Sequence, residues 1–444
     1  MRKGWKTARL ADVCTFKPPK KEARQRLNPE DAVSFVPMNN LGVRKKELEL
    51  CEERLLEKVA GSYTYFAEGD VLLAKITPCF ENGKLGIASG LTNGVGFGSS
   101  EFIVMRPGDE LDAEYLFYLL SQDSVRDAGA RVMSGAVGHK RVPKELVEGL
   151  QLTLPAVTEQ KRIVAILDGA FAGIDTAIAN TEKNLANARE LFESYLNSVF
   201  SDAVMQWEEF PIEKHIKFID YRGKTPKKTS SGLRLITAKN VRMGYLQREP
   251  EEFVDPETYD TWMTRGIPKK WDVLFTTEAP LGFACQLDTD EKVVFAQRII
   301  TMQPDRDIIH PDYLMFALRS SPIQSRIHEK ATGATATGIK ASLLKKIAIP
   351  VPEIIQQKVI AENAGSLEQE SKRLEGIYEE KLTALAELKQ SLLQKAFAGE
   401  LTAEIMNWTG HVLTGPRGKL SELVQRPECS RTGVYFLVGP DAEN

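Results

Sequence analysis

The residues able to do covalent chemistry are sparse, and their spacing is wrong for it. His139, His215, His310, His328 and His411 show no ligand spacing, and no H-E-x-x-H occurs. Cys14, Cys51, Cys79, Cys285 and Cys429 contain no C-x-x-C pair. They suggest neither a zinc site nor a disulfide framework, and reduced cytosolic thiols are the expectation. A methyl-transferring enzyme acting on adenine needs an [DNS]-P-P-[YFW] loop to grip the flipped base, but Asn28-Pro29 is followed by Glu30. The glycine-rich run Gly94-Val95-Gly96-Phe97-Gly98 lacks the acidic partner of a dinucleotide fold. Gly223-Lys224-Thr225 resembles the end of a phosphate-binding loop, but Phe218 stands where the earlier glycine is required. No catalytic set is complete, so neither an enzyme nor a cofactor is expected.

What remains is chemistry suited to reading a duplex. Base edges in the major groove are read by Arg, Lys, Asn, Gln, Ser and Thr, and phosphates by Lys, Arg and backbone N–H. Candidates at the ends of strand-like runs in the first half are Asn39, Asn40, Lys75, Thr77, Asn82 and Lys84. Ser134, His139 and Lys140 follow in a glycine-punctuated loop. In the second half they are Arg222, Lys224, Lys239, Asn240, Thr276 and Thr277, then Thr335, Thr337 and Lys340. The two loops at residues 134–140 and 332–340 stand out because small residues let backbone approach a phosphate closely. Basic runs at Lys17, Lys20, Lys21, Arg24 and Arg26, and at Arg222, Lys224, Lys227 and Lys228, suit phosphate contacts. Each is equally readable as a solvated loop. The net charge of -3 argues against a strongly basic nucleic-acid binder, but the charge is unevenly placed.

Two long helices must position these loops. In residues 158–200, Leu167, Phe171, Ile174, Ile178, Thr181, Leu185, Ala188, Phe192, Tyr195 and Val199 recur at gaps of 4 and 3. That heptad seam belongs to a helix packed along its length against another. The partner lies in residues 352–397, where Ile360, Ala364, Leu367, Ser371, Leu374, Tyr378, Lys381, Leu385, Leu388 and Leu392 repeat the spacing. Gln160 falls on Gln357 and Phe200 on Phe397. About 40 helical residues would span roughly 60 Å. Packed antiparallel, the helices would hold two modules apart about an approximate two-fold axis. Both helices are acidic, while the rest of the chain is mildly basic. Flanking Ile377, Leu382 and Leu393 would serve either as a docking face or as contacts with the first module.

The segments before the helices repeat in order. LRLITAKNV takes the place of VSFVPMNNL, and WDVLFTTEAPLGFACQL that of GDVLLAKITPCFENGKLGIA. PDYLMFALRSSPIQSRI matches AEYLFYLLSQDSVRDAG, with Tyr115 on Tyr313. Identity concentrates in the helices and is poor in the strand-rich parts. That pattern fits two binding surfaces on one scaffold that read different things.

LPAVTEQKRIVAILD, VPEIIQQKVIAEN and the ending LKQSLLQKAFAGEL resemble the specificity subunits of type I restriction–modification systems. GDVLLAKITPCFENGK and YRGKTPKK resemble recurring elements of that family's recognition domains. The resemblance covers about residues 5–401. It implies an α+β fold: two mixed α/β target recognition domains joined by two long antiparallel coiled-coil helices, an internal pseudo-two-fold repeat. The domains would be 1–157 and 204–352, the spacer helices 158–203 and 353–400, and 401–444 an unrepeated tail. It implies a non-catalytic subunit that reads a split target in double-stranded DNA. Its partners would be two modification (methyltransferase) subunits and, through them, ATP-dependent restriction subunits. The alternative is a coiled-coil scaffold without DNA specificity. The tail ends in SRTGVYFLVGPDAEN, which resembles the opening strand of a GIY-YIG nuclease domain without its catalytic residues, and no activity is expected of it. The N-terminus has no apolar h-region and no run reads as long enough to cross a bilayer, so a cytoplasmic protein is expected.

Overall fold

A computed structural model describes residues 4–136, 138–201, 207–221, 226–296, 298–333 and 337–401. The described residues form two compact units: residues 4–179 together with 382–401, and Asn180–Lys381. The units do not coincide with the domains expected from the sequence, because each takes part of both long helices.

The first unit is built on an antiparallel four-stranded sheet in the order Cys14–Phe16, Phe102–Pro107, Val71–Ala74, Leu85–Ile87. A second sheet runs Glu53–Leu55, Ala32–Val36, Val95–Gly98, Thr64–Ala67, and its Ala32–Val36/Val95–Gly98 pair is parallel. Lys6–Arg9 pairs with Gln151–Leu154, so the module is closed where it hands the chain to the first helix.

The second unit repeats this plan. Ile216–Asp220, Ile299–Pro304, Val273–Thr277 and Leu281–Gln286 occupy the same order in an antiparallel sheet. Leu233–Ile236 pairs in parallel with Val293–Phe295, as its counterpart does, and Glu209–Pro211 closes on Ala348–Pro350. The two modules therefore share one sheet and the parallel pair of the other where their sequences differ most; beyond that pair the first adds Thr64–Ala67 next to Val95–Gly98, and the second adds Lys228–Thr229 next to Phe253–Val254.

The long helices are Val157–Phe200 and Ile354–Ala398. Asp175 pairs with Lys389 in the first unit, and Arg189 with Glu375 and Glu379 in the second. Numbers fall on one helix as they rise on the other, so the pair is antiparallel. Every seam residue of the first helix is buried or half-buried; on the second only Lys381 is exposed. Of the flanking residues, Leu393 lies in the core of the first unit, Leu382 is half-buried and Ile377 is exposed. By length and composition alone the first helix would be long and apolar enough to cross a membrane, which corrects the expectation from sequence. Its seam residues Leu167 and Ile174 are instead buried in the first unit's core.

One amide fixes each module to a helix. Gln160 is fully buried; its Nε2 donates to the carbonyls of Glu110 (2.7 Å) and Pro155 (2.9 Å), and its Oε1 accepts from Asp112 N (2.8 Å). Gln357 does the same with Ile308 O (2.8 Å), Pro352 O (2.7 Å) and His310 N (2.9 Å). A primary amide has two donors and an acceptor, so one side chain ties the first turn of the long helix to the start of a short core helix. Those core helices, Ala113–Leu120 and Pro311–Arg319, carry Tyr115 and Tyr313. The Tyr115 ring packs on Phe397 at 4.9 Å and Tyr313 on Phe200 at 5.4 Å. The four residues that the sequence repeat aligns thus make equivalent contacts.

Candidate nucleic-acid interface

In the first module three segments meet where the strand Val71–Ala74 ends. Thr77 N donates to Lys140 O (2.9 Å), Val142 N to Lys75 O (2.9 Å), and Lys75 N to Glu101 O (2.9 Å). Ser134 and Arg141 exchange backbone hydrogen bonds of 3.1 and 2.8 Å, pinching the loop at its base. Gly135 (φ +130°) makes the pinch possible, since a Cβ there would lie 2.8 Å from His139 O. The fold thus gathers Lys75, Thr77, Ser134, His139 and Lys140 on one edge.

Their side chains differ in freedom. Ser134, His139 and Lys140 are exposed, as are Asn39 and Asn82. Lys75 Nζ donates to Ser100 O (2.9 Å) and Thr77 Oγ1 to Glu81 (2.8 Å). Lys84 Nζ donates to Met38 O (2.8 Å), which joins the Asn39–Asn40 turn to the same strand pair, and Asn40 Nδ2 donates to Glu49 O (2.8 Å). Within the first basic run, Lys20 and Arg24 are spent on the carbonyls of Gly61 (2.7 Å) and Ala60 (3.3 Å).

The second module builds the same edge. Ile339 N donates to Thr277 O (2.9 Å), Thr277 N to Arg298 O (2.9 Å), and Thr332 and Gly338 exchange hydrogen bonds of 2.9 and 3.0 Å. Thr337 and Lys340 are exposed beside it; Lys239 is exposed on a separate turn. Arg222, Lys224 and Thr335 lie outside the described residues.

Three sequence candidates are corrected by burial. Thr276 and Thr277 sit inside the strand Val273–Thr277, where Thr276 Oγ1 accepts from Phe283 N (3.0 Å) and Thr277 Oγ1 donates to Arg298 O (3.3 Å). Asn240 is buried, with Oδ1 accepting from Thr237 N (3.0 Å) and Nδ2 reaching Pro250 O (3.0 Å). These groups hold the backbone and present nothing to a groove.

Two ion pairs at the edges are absent from the sequence candidates. Arg141 grips Glu101 through Nε (2.9 Å) and Nη2 (2.7 Å), and its Nη1 donates to His139 O (3.1 Å). These hydrogen bonds, and the charge of Lys75, hold the Glu101 carboxyl below its ordinary pKa despite partial burial. In the second module Arg298 faces Glu278 at 3.1 Å. Glu101 and Arg298 both precede the second strand of the sheet and both accept a hydrogen bond from the strand end. Opposite charges at equivalent places in the repeat were the available signal.

Both edges are exposed, polar and built from backbone pinned at its base, as a recognition surface requires. Residues 2–187 and 261–380 match the family model for the type I restriction modification DNA specificity domain. The chain belongs to that family. It is 39% identical over 194 residues to the type I restriction enzyme EcoEI specificity subunit of Escherichia coli, covering 44% of this chain and 32% of that relative. It is 31% identical over 197 residues to the EcoAI specificity subunit of the same organism, covering 44% and 33%. The chain therefore matches about a third of the length of these relatives. A structure solved to explain complex assembly and conformational transition of the type I R-M system has the same fold, with TM-score 0.73 and 19% identity, over 90% of this chain and 99% of that one.

Proposed function

We propose that this chain is the non-catalytic recognition subunit of a type I restriction–modification complex, and that it reads a split target in double-stranded DNA. The observation that carries this is the repeat of one scaffold with two different polar edges. Each edge offers exposed Lys, Asn, Ser, Thr or His side chains on loops whose backbone is fixed by the strand ends. A scaffold or dimerisation protein needs the seams but has no use for two such edges.

On this reading residues 1–157 and 204–352 are target recognition domains, 158–203 and 353–400 are spacer helices, and 401–444 is an appended tail. The loops around Lys140 and Lys340 supply phosphate and base contacts. The helices set the gap between the two half-targets. Their outer faces carry an excess of Asp and Glu, suited to protein partners and repelled by DNA: two modification subunits directly, and restriction subunits through them. The work is cytoplasmic, where DNA and methyl donor meet.

The test is a swap. Residues 207–340 are replaced by those of another specificity subunit, and the chain is expressed with its modification partner. Sequencing of methylated sites should show one half of the target changed and the other intact. Change in both halves, or in neither, refutes modular reading.

A further inference from the structure

The edges carry Arg141 and Arg298 in different places, and of these two Arg298 is the one whose outer nitrogens are left unengaged among the described residues. In the first module Arg141 turns Nε and both Nη nitrogens inward, to Glu101 and His139 O. It is a brace. The equivalent loop position in the second module is Gly338, whose Cβ would stand 3.1 Å from Glu278 Cβ and 3.2 Å from Thr277 O. A side chain there would be crowded against Glu278 and the strand end. The arginine has moved instead to position 298, the place held by Glu101 in the first module, and the carboxylate to Glu278.

Arg298 is held unlike an ordinary surface residue. Its φ is +65°, a conformation that costs free energy for a residue with a Cβ and is retained where the surroundings impose it. Its carbonyl accepts from both the N–H (2.9 Å) and the Oγ1 (3.3 Å) of the buried Thr277, and Ile299 after it is buried. The backbone is fixed while the side chain is 51% exposed. Glu278 approaches the guanidinium as an ion pair at Nε, 3.1 Å. Among the described residues neither Nη nitrogen has a hydrogen-bond partner. An exposed ion pair at Nε holds the guanidinium more loosely than the two-point grip on Arg141, and among the described residues it leaves the outer donors unengaged. Two parallel donors match the O6 and N7 acceptors of guanine, and no other base offers two acceptors side by side in the major groove.

We infer that Arg298 specifies a guanine in the half-target read by the second module, with Glu278 as its positioning residue. This rests on the DNA-recognition reading above. It also separates the halves: with Arg141 engaged, the first module reads through other groups on its edge, the exposed Ser134, His139 and Lys140 among them.

The test uses the full chain expressed with its modification partner, and reads methylated sites by sequencing. Arg298→Lys keeps the charge and loses the fork. One guanine in one half-target should become permissive, with discrimination falling roughly ten- to a hundred-fold, and the other half unchanged. An unchanged target, a uniform loss of affinity across sequences, or relaxation at an A·T position overturns the inference. If Arg298→Lys abolishes methylation altogether, Glu278→Gln decides. Partial relaxation at one guanine supports the inference, and full discrimination overturns it. Failure of the underlying reading looks different: the unaltered chain would then direct methylation to no defined sequence.

Discussion

Gln160 and Gln357 are small targets with a large expected effect. Substituting Gln357 by Leu keeps the approximate volume and removes three hydrogen bonds of 2.7 to 2.9 Å in a fully buried place. The orphaned groups are His310 N and the carbonyls of Ile308 and Pro352. Each buried orphan costs about 1–3 kcal/mol. Burial of the leucine returns about 1.5–3 kcal/mol. At the middle of these ranges the net is a destabilisation of about 3–4 kcal/mol, confined to the unit of residues 180–381. For a unit of about 200 residues that lowers its melting temperature by about 6–12 °C. Calorimetry of the full chain should show the effect on one transition only. Gln160→Leu should lower the other, since its partners Glu110, Asp112 and Pro155 belong to the first unit. Shifts below about 2 °C, the size of a sub-kilocalorie effect, would show that these amides do not fix the modules to the helices.

Two further outcomes follow from buried and exposed ionisable groups. Arg319 and Glu368 pair at 2.9 Å, nearly shielded from solvent, with the guanidinium against the rings of Phe192 and Phe316. Burial alone would raise the Glu368 pKa, but the hydrogen bonds and charges of Arg319 and Lys372 hold it below the ordinary value. A depressed carboxyl stabilises above its unfolded pKa and loses that contribution as pH falls through the folded one. Arg319→Met should therefore destabilise the second unit by roughly 3 kcal/mol at pH 7 and flatten its acid melting curve below about pH 4.5; an unchanged curve contradicts the pairing. Separately, burial pushes the Cys14 and Cys285 thiols up to about 12, whereas Cys51 is exposed. At pH 8 a thiol reagent followed by peptide mass spectrometry should label Cys51 in the native chain and reach Cys14 and Cys285 only after denaturation. Native labelling of either buried thiol would place it wrongly.

The helices were legible because a seam at gaps of 4 and 3 has one physical meaning over ten positions, and because two matched seams in one chain satisfy each other. The repeat was legible through residues that do specific work, such as the paired glutamines and the Tyr115/Tyr313 contacts. The edges were only half legible. Lys140 and Lys340 could be placed because small neighbours mark a loop. Thr276 and Thr277 were misassigned because the second module's strand runs on to Thr277 while its counterpart stops at Ala74, and alternation over a few residues does not give the end of a strand. Asn240 was misassigned because an Asn beside a turn more readily bonds its own backbone, here Thr237 N, than a ligand. The Glu101–Arg141 and Glu278–Arg298 pairs join residues up to 40 positions apart, which no local pattern records.

The division of the chain has a consequence for its synthesis. The second unit is one continuous stretch, Asn180–Lys381, but the first is discontinuous and takes core residues Leu392, Leu393, Ala396 and Phe397 from the far end of the second helix and Leu401 from just beyond it. On the ribosome, the module made first is thus the one completed last. Residues 1–179 must wait, with an apolar face of Tyr115 and Leu167 uncovered, until roughly two hundred more residues have been translated. The nascent chain is most exposed to chaperones and proteases during that interval, and any stop codon before residue 392 leaves the earlier half without its closing piece.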